Sequence, residues 1–187
     1  TDNGANWTAV NNGLTNPYVR SLAISGTNIF AGTNGGVFLS TDNGSHWFAM
    51  NNGLTNPFVQ SLAISGDNIF AGIWDEGVFL STDNGAHWTA VNNGLTNLDV
   101  QSLAISGTNI FAGTDGGGIF LSTDNGAHWT AVNNGLTNTT VQSLAISGTN
   151  IFAGTNGGVF LSTDNGANWT AVNNGLTNPY VRSLAIS

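Results

Sequence analysis

Four carboxylates, Asp75, Glu76, Asp99 and Asp115, stand apart from the other acidic residues of this chain and are the first candidates for chemistry. Oxygen-rich groups of this kind suit a calcium ion, and two converging carboxyls are the minimum for glycoside hydrolysis. Their spacing matches no established calcium loop, so the expectation is a solvated acidic rim, with weak calcium binding as the sharper alternative. Nothing around them would position or polarise a substrate: Lys and Cys are absent, and Arg20 and Arg182 are the only basic side chains. Catalysis is therefore not expected, nor is any cofactor, since no Gly-rich phosphate loop opens onto a helix. His46, His87 and His128 recur every 41 residues, which places them on separate repeats, too far apart for one tetrahedral metal site. The remaining candidates are aromatic. Trp74, Tyr18, Phe58 and Tyr180 sit among Asn and Gln residues, a combination that suits sugars, although Tyr18 and Phe58 would also serve to plug a gap after a Pro.

Composition removes whole classes of partner. With 187 residues and 40% hydrophobic side chains the chain has material for a core, but a net charge of −8 and two cationic side chains leave nucleic acid without counter-charges. Membrane spanning needs roughly 20 consecutive apolar residues, and the apolar runs here are far shorter. No charged-then-apolar leader opens the sequence.

The elements that must hold these residues repeat. Thr-Asp-Asn-Gly begins at Thr1, Thr41, Thr82, Thr123 and Thr163, giving periods of 40, 41, 41 and 40. One period contains four short apolar or alternating runs, Val59 to Ser65, Asn68 to Ile73, Gly77 to Thr82 and Trp88 to Asn92, each bounded by Gly, Asn, Asp or Ser. These predict four strands, here A to D, joined by tight turns. Val78, Phe79 and Leu80 are apolar on consecutive positions, so both faces of strand C must be covered, and neighbouring repeats must do the covering. The fold class is all-β, a β-propeller of four-stranded antiparallel blades of about 40 residues. A helical solenoid fails for lack of 3.6-residue periodicity. A β-solenoid, the structural rival, needs parallel coils, which short Gly-rich connections do not suit.

The turn between strands C and D reads Ser40-Thr41-Asp42-Asn43-Gly44-Ser45-His46-Trp47, and returns at Ser81 to Trp88, Ser122 to Trp129 and Ser162 to Trp169. This pattern resembles the Asp-box hairpin, S-x-D-x-G-x-x-W, of bacterial-neuraminidase-type (BNR) repeats. Similar boxes occur in sialidases, xyloglucan-cleaving hydrolases, sortilin-like receptors and photosystem II assembly factors. The resemblance implies a propeller and structural roles for Ser40, Asp42, Gly44 and Trp47, for Ser81, Asp83, Gly85 and Trp88, for Ser122, Asp124, Gly126 and Trp129, for Ser162, Asp164, Gly166 and Trp169, and for the clipped Asp2, Gly4 and Trp7. In physical terms the Asp and Ser accept backbone N–H bonds within the loop, the Gly takes positive φ, and the Trp anchors strand D between blades. The sialidase arginine triad and Tyr–Glu nucleophile pair cannot be drawn from two Arg and one Glu, so the resemblance implies fold and not sialidase activity.

Residues 1–25 and 163–187 are identical, so a single repeat domain of four full repeats and a partial one starts with strand D and stops after strand A. Five A, five D, four B and four C strands are expected, with an incomplete terminal blade that closes as a half blade, continues in a longer array, or is completed by another chain. Self-association through the terminal A and D strands is the expected partner relation. Differences between repeats gather in two connections. One is D-to-A (Pro17-Tyr18, Pro57-Phe58, Leu98-Asp99, Thr139-Thr140, Pro179-Tyr180, with Arg20, Gln60, Gln101, Gln142 and Arg182 just beyond); the other is the B-to-C turn holding Trp74, Asp75, Glu76 and Asp115. In an up-and-down blade both emerge on one rim, where Tyr18, Arg20, Phe58, Trp74, Asp75, Glu76, Asp99, Asp115, Tyr180 and Arg182 are the candidate ligand-binding residues. The expected function is a non-enzymatic binding module for a glycan or a protein. A structural unit of a ring or filament is the alternative, and a glycoside hydrolase-like enzyme a remote one. An extracellular or cell-surface location is expected from the Lys-free, Asn-, Thr-, Ser- and Gly-rich composition and the families resembled.

Overall fold

A computed structural model describes residues 4–186. It contains four antiparallel sheets and, among the described residues, no helix. The first sheet is β1 (Val19–Ser25), β2 (Asn28–Thr33), β3 (Gly36–Ser40) and β4 (Phe48–Ala49); the second is β5 (Val59–Ser65), β6 (Asn68–Ile73), β7 (Gly77–Ser81) and β8 (Thr89–Ala90). The third is β9 (Val100–Ser106), β10 (Asn109–Thr114), β11 (Gly118–Ser122) and β12 (Thr130–Ala131); the fourth is β13 (Val141–Ser147), β14 (Asn150–Thr155), β15 (Gly158–Ser162) and β16 (Thr170–Ala171). Strand order follows the chain in every sheet, which is the up-and-down blade read from the sequence.

The hairpins follow from their turn residues. Ser65 pairs with Asn68 across a two-residue loop whose first position, Gly66, has φ 58, the conformation a type II′ turn asks of its leading residue. Each A strand carries a bulge near its start: Val59 faces Ile73 and Ser61 faces Gly72, leaving Gln60 without a partner in the ladder. The equivalents of Gln60 are Arg20, Gln101 and Gln142, so the bulge releases a variable residue from the pleat just where the chain enters the blade.

Blades stack in chain order with β1 against β5, β5 against β9 and β9 against β13. Each core belongs to a seam, not to a blade: Phe30 and Val37 of the first blade pack with Val59, Leu62, Ile73 and Trp88 of the second, and the pattern repeats at the next two seams. Three polar devices close each seam. A Ser hydroxyl on one A strand accepts the Leu N–H of the next, as Ser61 does from Leu103 at 2.9 Å and Ser102 from Leu144 at 2.9 Å. The turn Trp donates its indole N–H to the carbonyl that ends the preceding blade, Trp88 to Met50 at 2.8 Å and Trp129 to Val91 at 2.7 Å. Its backbone N–H goes the same way, Trp88 to Asn52 and Trp129 to Asn93.

Three expectations are corrected. Strand D is two residues long and not the five of Trp88 to Asn92, because Asn92 turns away to clamp the B-to-C turn, its Oδ1 accepting the Val78 N–H at 2.7 Å. Strand C stops at Ser81, whose hydroxyl is already committed to the turn. Five A and five D strands become four of each among the described residues. Residues 7–11 and 181–186 form no strand. Trp7 is 90% exposed, unlike the four turn Trp residues buried at the seams. Asp2 lies outside the described residues.

A candidate binding rim

The two variable connections lie side by side. An Asn opens each D-to-A connection and fixes the residue two places on: Asn56 Oδ1 accepts the Phe58 N–H at 3.0 Å and Asn97 Oδ1 that of Asp99 at 3.0 Å. The amide ends of the same side chains reach the B-to-C turn, Asn56 to the Trp74 carbonyl and Asn97 to the Asp115 carbonyl, both at 3.0 Å. Backbone bonds finish the junction, Trp74 N–H to Phe58 at 3.0 Å and Asp115 N–H to Asp99 at 2.9 Å. Each blade therefore presents one pair of variable side chains: Tyr18 with Asn34, Phe58 with Trp74, Asp99 with Asp115, Thr140 with Asn156. The Asn residues that build these pairs were invisible as site builders in the sequence, because a residue present in every repeat offers no contrast.

Neighbouring pairs touch. Phe58 and Trp74 meet edge to face, centroids 5.7 Å apart at 89°, with Trp74 47% exposed. The Trp74 side chain also lies beside Asp99 of the following blade, whose carboxylate accepts from Gln101 Nε2 at 2.7 Å. Partial burial, with the negative charge of Asp115, pushes the Asp99 carboxyl above the ordinary Asp range, against the lowering effect of Gln101 and Trp74. Asp75 adds a smaller push, in a turn whose φ of 60 a short polar side chain tolerates. Asp115 continues the strip by accepting the Thr140 hydroxyl at 3.0 Å.

Of the ten residues expected on this rim, Phe58, Trp74, Asp75, Asp99 and Asp115 come together over two blades. Glu76 turns aside to the Thr55 hydroxyl at 3.1 Å. Arg20 bonds Asn34 on the first blade, and Tyr180 and Arg182 lie exposed beyond the fourth. Among the described residues no three of His, Cys, Asp or Glu are placed to hold a metal ion. Asp99 Oδ1 accepts from Gln101 Nε2 and Asp115 Oδ1 from the Thr140 hydroxyl.

The opposite rim is built from the C-to-D turns. Ser81 Oγ accepts the Gly85 N–H at 2.8 Å and donates to Asp83 Oδ1 at 2.8 Å, which in turn accepts the His87 N–H at 2.9 Å. The His87 ring closes the loop on Asp83 Oδ2 at 2.7 Å. Ser40, Asp42 and His46, Ser122, Asp124 and His128, and Ser162, Asp164 and Asn168 repeat this geometry. Gly44, Gly85, Gly126 and Gly166 have φ between 84 and 87. The three His each serve their own turn and share no site.

Residues 81–182 match the family described as the DUF6242 beta propeller domain, more than half of the chain. The chain belongs to that family. No curated protein matches this DUF6242 domain. Among solved structures it is similar to an extracellular domain ascribed to a one-component system of B. thetaiotaomicron, at 19% identity, TM-score 0.76, covering 91% of this chain and 25% of that one. It is also similar to an ancestral GH74 enzyme, at 23% identity, TM-score 0.72, covering 89% and 25%. YCF48 bound to D1 peptide is similar at 15% identity and TM-score 0.67, covering 85% and 56%. The chain spans about a quarter of the first two structures, and at these identities the likeness is one of fold.

The turns of the DUF6242 domain contain their own control experiment. The His46, His87 and His128 side chains hold Asp42, Asp83 and Asp124 at about 2, first through the side-chain bond and then through the backbone N–H. Asp164, which has Asn168 in place of His, is also lowered. His87→Asn is expected to raise the Asp83 pKa from about 2 to that of Asp164, measured by following both carboxylates by NMR. Because the folded value is depressed, the stabilisation is present above the unfolded pKa of about 3.9 and is lost as pH falls towards 2. An unmoved Asp83 titration would show that the ring contact contributes nothing.

Proposed function

We propose that this domain is a non-enzymatic binding module that takes a neutral glycan on the rim formed by Phe58, Trp74, Asp99 and Asp115. The observation that carries the reading is the Trp74 indole, half exposed, set edge to face against Phe58 and lying beside Asp99 of the next blade. A fixed, exposed indole stacks on the C–H face of a sugar ring at little entropic cost. The groups beside it are acceptors, Asp75, Asp99 and Asp115, which suit the many O–H donors of a carbohydrate and repel an anionic one. Holding is favoured over hydrolysis because Asp99 Oδ1 already accepts from Gln101 Nε2 and, among the described residues, no Arg or Lys is bonded to it.

The described residues contain no helix long and apolar enough to cross a membrane. An extracellular setting is supported by the fold likeness to a domain that is itself described as extracellular. Peptide binding is the second reading, favoured by the fold likeness to YCF48 bound to D1 peptide.

Trp74→Ala is expected to abolish retention of neutral oligosaccharides, a loss of at least tenfold in affinity, while leaving the unfolding transition within about 0.5 kcal/mol of the parent. Calorimetry against a panel of neutral oligosaccharides checks it. Equal binding by parent and variant would remove the rim from the account, and release of reducing ends would contradict the non-enzymatic reading.

A further inference from the structure

We infer that a second copy of this chain docks head to tail on the bare flank of β1. The interior seams define what that flank is made to meet. Val59, Leu62, Val100, Leu103, Val141 and Leu144 are all at most 8% exposed under the preceding blade, whereas their counterparts Val19 and Leu22 are 42% and 62% exposed, with Ile24 at 67%. At the other end residues 181–186 lie along the fourth blade as a lone segment. The Val181 N–H bonds Thr155 O at 2.9 Å and the Leu184 N–H bonds Ser143 Oγ at 3.0 Å. The end of one copy is thus the surface that the start of another would cover.

Sequence identity makes the junction an exchange. Residues 17–25 of the incoming copy have the same side chains as residues 179–187 of the first, so β1 can take over the Ser143 bond that Leu184 makes, through Leu22. Residues 163–178 of the first copy match residues 1–16 of the second, so the carbonyl of Val172 can receive the Trp47 indole N–H that now bonds Val10 at 2.7 Å. The seam contacts given up by the released segments are remade by identical residues. Beyond that exchange, Phe152 and Val159 of the fourth blade, half-buried here where Phe111 and Ile119 are fully buried, become covered, because β1 arrives with β2 and β3 already paired to it. The net change is burial of apolar surface, the term that drives association. Gly175 shows the vacancy from the other side: a Cβ there would touch nothing, whereas at Gly135 it would collide with the Trp169 carbonyl.

Light scattering behind a sizing column should give at least twice the single-chain mass of 19.2 kDa at high concentration. Leu22→Glu, on a side chain already exposed in the single chain, should return the mass to one chain with circular dichroism unchanged. Mixing Leu22→Cys with Ser143→Cys in this cysteine-free chain should yield a disulfide between the two variants and not within either. A parent that stays at one chain mass at every concentration overturns the inference, as does a multimer that Leu22→Glu leaves intact or a mixture that forms no mixed disulfide.

Discussion

Trp129→Ala is expected to destabilise the fold by about 3–5 kcal/mol, and Trp7→Ala by less than about 0.5, although the two residues sit at the same position of the repeat. Trp129 is 4% exposed and packs with Phe70, Val78 and Leu95, so truncation leaves a large cavity across the seam. It also removes the indole donor from the Val91 carbonyl, which stays at the edge of that cavity. Trp7 has neither the cavity nor the carbonyl. Trp129→Phe separates the two causes: it restores most of the volume without the N–H, and should recover more than half of the loss. Thermal unfolding of the three variants checks the set, and equal losses at Trp7 and Trp129 would contradict the seam.

Gly94→Ala is expected to cost about 3 kcal/mol or more, against about 1 for Gly107→Ala. Both have positive φ, +85 and +60, so both substitutions force an L side chain into the left-handed region. They differ in what the new methyl meets. At Gly107, in an A-to-B hairpin loop, there is nothing within 4 Å; at Gly94 the Cβ would run into the backbone carbonyl of Trp129. Backbone at that distance cannot rotate away, so the two blades must part. Because a blade touches only its neighbours, the damage should fall on this one seam, visible as faster amide exchange at Leu103 and Trp129 than at Leu144 and Trp169. Gly13, Gly53 and Gly135 stand in the same relation to Trp47, Trp88 and Trp169.

The repeat period and the alternation of A, B and C were enough to read the blade from the sequence, since each strand is bounded by turn residues that admit one kind of connection. Strand D was less legible. Trp88 to Asn92 has the look of a strand, but Asn92 leaves the ladder to bond the Val78 N–H, a choice visible only once strand C is beside it. The rim was legible as a place, because variation singled out Trp74 and Asp99, but not as a set of contacts. That Trp74 meets Phe58 within its own blade and Asp99 of the next depends on the stagger between blades. The ends show the limit most plainly. Leu22 and Leu62 occupy nearly identical heptapeptides, VRSLAIS and VQSLAIS, yet one is 62% exposed and the other 7%. Burial here is a property of the neighbouring blade, which no local pattern encodes.

Hydrogen exchange at the six indole N–H groups tests the seam directly, since it reads every stitch in one spectrum. Trp47, Trp88, Trp129 and Trp169 donate to carbonyls of the preceding segment at 2.7 to 2.8 Å and should exchange slowly. Trp7 and Trp74, exposed by 90% and 47%, should exchange fast. Six signals exchanging at one common rate, or a fast signal among the four turn Trp residues, would contradict the account of how the blades are held together.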